Sequence, residues 1–67
     1  MKVMSMKNKE IQKEIIDLLS SKQECAFGDI VKQLDYSYNE VLNNVLEMKN
    51  KGEILKSKKH RGNYVIS

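Results

Sequence analysis

The chain of 67 residues has no proline and no tryptophan, one cysteine, one histidine, one arginine and four aromatic side chains. Cys25 has no partner for an internal disulfide, and a free thiol fits a reducing, cytoplasmic setting. There is no second cysteine, and the only histidine, His60, is distant in sequence. The four ligands of a usual metal site are therefore missing, and no metal is expected. Cys25 reads instead as a small half-buried filler ahead of the second helix. No apolar run is long enough for a signal peptide or a membrane span, so no membrane partner is expected. Asp17, Asp29 and Asp35 fall in separate elements and form no acid pair, and no nucleophile, base or phosphate-cradling glycine loop stands out. A chain of this length makes one domain and cannot wall off a pocket of roughly 300 Å³ or more. It is therefore expected to be a binding module, with no enzymatic activity, no cofactor and no small-molecule substrate.

The net charge of +3 is modest, but its placement is uneven. Residues 1–53 hold eight lysines against nine acids, whereas residues 54–67 hold Lys56, Lys58, Lys59 and Arg61 and no acid. Lys49 and Lys51 lie just ahead of that block. A basic patch at one end is the footprint of a phosphate binder. The competing reading is a solvated lysine hairpin that keeps the protein soluble or blunts an edge strand.

There are no repeats and no low-complexity tract. Residues 1–6 read as a frayed N-terminal arm and 7–67 as the folded domain. Ile11, Ile15, Leu18 and Leu19 at helical spacing predict a first helix from Lys7 to Ser20, capped by Asn8 or Ser5. Ile16 lies off the centre of the stripe and is expected to pack under the hairpin. A polar break follows, then Cys25-Ala26-Phe27 as a stub of strand. A second helix is expected from Phe27 to Leu34, with Phe27, Ile30, Val31 and Leu34 inward. Ser37-Tyr38-Asn39-Glu40 is a capping box that opens a third helix spanning 37–51. Its core stripe is Val41, Val45 and Met48, and Gly52 supplies a left-handed stop. Ile54 with Leu55 starts a strand, and Asn63–Ser67 forms a second. Between them lies the loop Ser57–Gly62, with Gly62 available for a positive φ. Tyr64 is expected in the core.

The span Phe27 to Ile54 resembles the winged helix-turn-helix family of DNA-binding regulators. The family pattern is met at Ile30, Val31, Leu34, Ser37, Val41, Val45, Met48, Gly52 and Ile54, with a basic hairpin after it. The resemblance covers about residues 8–67. It implies an α+β fold: a three-helix bundle with a C-terminal antiparallel wing of two or three strands. It also implies a partner, double-stranded DNA, and a role in transcription regulation. The third helix then occupies the major groove, and the wing (56–62) follows the backbone or minor groove. Carried onto this chain, the DNA-binding residues are Tyr36, Ser37, Tyr38, Asn39 and Asn43 on the helix, with Leu42 beside them, and Lys56, Lys58, Lys59, His60 and Arg61 on the wing. The Z-DNA-binding branch is set aside, because its Asn and Tyr positions are Leu42 and Leu46 here and its wing Pro and Trp are absent.

The chemistry fits in part. Asparagine can pair bidentately with adenine, and Lys or Arg on the wing can displace counterions from phosphates. Arg61, at the loop tip, suits a narrow minor groove. Against this, the third helix has no net charge, since Glu40 and Glu47 balance Lys49 and Lys51, and no Arg or Lys for guanine stands in its first two turns. Leu42 and Leu46 lie about 100–140° from Val41 at helical spacing. That leaves three readings: a broad apolar face packed on the first helix, a surface for a protein partner or a second copy, or contact with thymine methyls. A protein-interaction module using Leu42 and Leu46 is accordingly the second functional expectation, with the chain a monomer or a homodimer. Single-stranded nucleic acid stacking on Tyr36 and Tyr38 is a third.

Overall fold

Helical periodicity decides where the core lies. The computed structural model describes residues 6–67. Helix α1 (Met6–Lys22) buries Ile11, Ile15 and Leu19, at i, i+4 and i+8, against Val41, Val45 and Met48 of α3 (Tyr38–Lys51). Between them come β1 (Glu24–Ala26) and α2 (Phe27–Gln33), and after them β2 (Ile54–Lys56) and β3 (Asn63–Ile66). The product is three helices and a three-stranded antiparallel sheet in the order β1-β3-β2. Ile30 from α2 and Cys25, Ile54 and Tyr64 from the sheet complete the core. Each large apolar side chain buried there contributes about 1.5–3 kcal/mol of transfer free energy. Ile16, Leu18, Phe27, Val31 and Leu34 pack half-buried around it.

Helix α1 is longer than its periodicity predicts, running from Met6 to Lys22 rather than from Lys7 to Ser20. Ser20 and Ser21 do not break it, and the turn falls instead at Gln23, which takes a left-handed φ of 71°. A residue with a Cβ is strained in that region. Asn8 is no cap. It lies inside the first turns, where its Oδ1 accepts from Asn44 Nδ2 at 3.2 Å. Ser5 and the rest of the expected arm lie outside the described residues, except Met6, which is helical.

Strand β1 sits one residue earlier than expected, with Phe27 given to α2. Strand alternation decides which of its side chains face the core. It turns Cys25 inward opposite Tyr64 and leaves Glu24 and Ala26 half-buried on the other face. Cys25 is consequently buried, 4% exposed, rather than half-buried. Helix α3 starts as its sequence predicts. Ser37 Oγ accepts from the Glu40 N–H at 3.2 Å, and Glu40 Oε1 accepts from the Ser37 N–H at 3.1 Å. It stops at Gly52, φ 80°, whose N–H donates to the Lys49 carbonyl while the Glu53 N–H donates to that of Met48.

One buried polar residue was not singled out by the sequence pattern. Asn44 is 2% exposed and joins α3 to α1. Its Oδ1 accepts from Gln12 Nε2 (2.9 Å), and its Nδ2 donates to Asn8 Oδ1 and to the Glu40 carbonyl (2.7 Å). Among the described residues no buried side-chain polar atom lacks a partner.

Two consequences are open to measurement. Asn44→Ala deletes the buried hydrogen bonds to Gln12, Asn8 and the Glu40 carbonyl and is expected to cost about 1–3 kcal/mol in denaturant melts. Its exposed neighbour Asn43→Ala is expected to stay within about 0.5 kcal/mol of the parent. Gln23→Gly relieves the left-handed strain at the end of α1 and is expected to stabilise by up to about 1 kcal/mol, the gain being limited by the extra freedom glycine gives the unfolded chain.

Candidate nucleic-acid interface

Four buried residues, Val41, Asn44, Val45 and Met48, define the inward side of α3. Diametrically opposite, at 100° per residue, run Asn39, Asn43, Leu46 and Asn50, all exposed. Leu46 is 46% exposed. Leu42, beside the stripe, is half-buried. An open groove of about 720 Å³ borders the stripe on the α1 side, lined by Asn43, Leu46 and Asn50 of the stripe together with Glu40, Asn44, Glu47, Lys51 and, from α1, Asn8.

Both acids of α3 line that groove beside the stripe, and both are paired. Glu40 completes the capping box and pairs with Lys7, and Lys7 and then the Ser37 amide hold its carboxyl below the ordinary range. Glu47 pairs with Lys51 at 3.3 Å and accepts from Gln12 Nε2 at 3.2 Å.

The basic loop is built by short-range hydrogen bonds. Ser57 Oγ accepts from the N–H groups of Lys59 (3.2 Å) and His60 (3.0 Å), and the Ser57 N–H donates to the Asn63 carbonyl at 2.8 Å. Gly62, φ 86°, turns the chain back into β3. A single carboxylate oxygen fastens the loop to β1. Glu24 Oε1 accepts from Asn63 Nδ2 at 2.8 Å, lies 2.7 Å from His60 Nδ1 and is 3.5 Å from Ser57 Oγ. The Asn63 hydrogen bond, followed by those of His60, holds the Glu24 carboxyl below its ordinary value. Lys58, Lys59 and Arg61 are exposed, and no carboxylate of the described residues lies within ion-pair distance of them.

The loop and the leading end of α3 share one end of the molecule. Asn63, where the loop exits, pairs with Ala26. Phe27 follows, and its ring meets that of Tyr38, the first residue of α3, edge to face with centroids 5.2 Å apart. Glu53 lies at the other end of the hairpin, where its carbonyl accepts from the Ser67 N–H.

The residues named from sequence therefore divide. Asn39 and Asn43 stand together on the open stripe. Tyr38 is 59% exposed, with one ring edge committed to Phe27. Ser37 is the cap, its oxygen engaged by the Glu40 amide. Tyr36 is held elsewhere: half-buried against the core, it donates its hydroxyl to Glu14 of α1, which pushes the phenol up to about 12. Lys56 closes β2 and carries its ammonium 4.5 Å above the Tyr64 ring. His60 lies against Glu24 while Lys58, Lys59 and Arg61 face outward. Asn50, Ser57 and Glu24 were missed. Asn50 continues the Asn39–Asn43 spacing and was findable, whereas the Glu24 tie needs the β1–β3 register.

Among the described residues no group of three His, Cys, Asp or Glu side chains is placed to hold a metal ion, and no helix is long and apolar enough to cross a membrane. No family model, no curated protein and no solved structure matches the chain.

The depressed Glu24 carboxyl sets an acid dependence. A group held below its unfolded value of 4.5 supplies stability that is fully present above that value and is lost as the pH falls below it. Glu24→Gln keeps an acceptor for Asn63 and removes the titration. Thermal melts taken from neutral pH down through the carboxylate range should show the variant losing less stability than the parent, and superimposable curves would refute the Glu24 tie.

Proposed function

We propose that this chain is a winged helix-turn-helix protein that binds double-stranded DNA as a transcriptional regulator. In this reading α3 enters the major groove with the Asn39–Asn43–Leu46 stripe toward the bases. The loop Ser57–Gly62 lies along the flanking backbone or minor groove. The arrangement of three helices with β1 paired to the C-terminal hairpin is compatible with that fold. The observation that carries the proposal is the partition of charge. Glu40, Glu47 and Glu24, the acids of α3 and the sheet, are each tied to a cation or amide donor, while Lys58, Lys59 and Arg61 lie exposed at the same end of the molecule with no carboxylate of the described residues within ion-pair distance. A surface so arranged offers phosphates cations and few repelling charges.

A second reading, a protein-interaction winged helix, draws on the exposure of Leu46 in the middle of the stripe. Leu42, half-buried, adds less to it.

Salt separates the two. With about four to six phosphate contacts, log K against log salt for a short duplex is expected to fall with a slope between about −3.5 and −5.5. Changing Lys58, Lys59 and Arg61 together to alanine is expected to flatten that slope by about 3 and to leave the fold intact by circular dichroism. Duplex binding unaltered by the triple change sinks the assignment. Loss of partner capture on Leu46→Asp, with salt-insensitive binding in the parent, supports the second reading.

A further inference from the structure

Resting on the DNA-binding reading, we infer that the base pairs this protein reads are A·T pairs, with an A·T core of about three consecutive pairs under α3. The warrant is the chemistry of the exposed stripe of α3 that lies opposite its buried side. Asn39, Asn43, Leu46 and Asn50 lie within about 60° of one another at 100° per residue, and none is charged. Asn44, the amide next to Asn43 in the chain, is buried and engaged by Gln12, Asn8 and the Glu40 carbonyl.

Each base presents a different edge in the major groove. Adenine offers an acceptor at N7 beside a donor at N6, which matches the carbonyl and NH₂ of one asparagine. Guanine offers two acceptors, whose usual partner is Arg or Lys. No cation stands in the stripe: Lys51 is paired with Glu47, and Lys49 lies about a quarter turn away. Cytosine offers a donor that favours a carboxylate. Glu40 and Glu47 are the carboxylates of α3, and both are already engaged by Lys7, Lys51 and Gln12. Thymine offers a methyl group, and Leu46 is the exposed apolar side chain of the stripe. Every group of the stripe therefore finds its complement on an A·T pair, and the groups of α3 that would complement G·C are paired or lie outside the stripe.

The dimensions set the length of the core. Asn39 to Leu46 spans about 10 Å of helix at 1.5 Å per residue, which corresponds to about three base pairs. The loop adds a second bias. Arg61 is exposed and is the only arginine of the chain, and a guanidinium inserts best where A-tracts narrow the minor groove.

The test is selection of binding sites from a random duplex pool, followed by single-atom changes in the selected site. Enrichment of A·T at about three adjacent positions is expected. Replacing thymine by deoxyuridine, which deletes the methyl, should weaken the parent and leave Leu46→Ala unchanged. Replacing adenine by 7-deazaadenine, which deletes N7, should weaken the parent about tenfold and leave Asn43→Ala unchanged. Duplex binding with a G·C core or no base preference overturns this inference and leaves the DNA-binding reading standing. So does equal loss in parent and variants. Absence of duplex binding at low salt overturns both.

Discussion

The three residues of β1, Glu24–Ala26, pair with Val65–Asn63 across most of the length of the chain, and the whole loop end of the molecule takes its position from that pairing. The hairpin β2–β3 alone would be a two-stranded ribbon, marginal in water. The third strand turns it into a sheet with one face on the core, through Cys25, Ile54 and Tyr64. On the half-buried rim, Glu24 gathers Asn63, His60 and Ser57 on one oxygen. Because β1 runs directly into α2, and Phe27 of α2 meets Tyr38 of α3, the same pairing sets where the basic loop stands relative to the start of α3. Local turn chemistry shapes the loop, and a pairing distant in sequence aims it.

Exposed ion pairs contribute little to stability, so the pairs on α3 are better understood by what they do to the surface. A helix with two acids and two lysines has no net charge either way. What differs is where the field points. With Glu40 turned to Lys7 and to its own cap, and Glu47 to Lys51 and Gln12, the acids are matched on the α1 side. The stripe beside them is left with amides and a leucine. The buried Asn44 belongs to the same design. Its hydrogen bonds to Asn8 and Gln12 fix the rotation of α3 about its own axis relative to α1, and that rotation determines which residues reach the outside.

Much of this was legible in the sequence because it is local. The Ser37–Glu40 box, Gly52, the Val41–Val45–Met48 stripe and Gly62 act within a turn or two of chain, and all appear where the pattern puts them. What the sequence hid depends on contacts between elements. Nothing local distinguishes Asn43 from Asn44, yet one step of 100° exposes the first and buries the second. Asn8 looks like a cap until α3 supplies it a partner. Tyr36, at the head of the third helix, looks available to a nucleobase until Glu14 takes its hydroxyl. Gln23 was unreadable as a turn because left-handed stops favour glycine, and the strain is tolerated because β1 must begin at the next residue to place Cys25 inward.

The proposed function divides two tasks between two surfaces. Phosphate contact is strong, long-ranged and blind to sequence, and the proposal gives it to Lys58, Lys59 and Arg61, which are exposed. Base reading is short-ranged and indifferent to salt, and the proposal gives it to the uncharged exposed groups on α3. Placing a lysine or arginine on the reading stripe would raise affinity for every duplex while adding preference for guanine alone. A neutral stripe avoids that trade: whatever discrimination it makes is not diluted by attraction to the backbone. The cost falls on total affinity, which a module this small with one short stripe cannot make large. A binder of this design therefore gains most from two copies on adjacent half-sites, where each weak reading counts twice and the spacing of the copies becomes part of what is read.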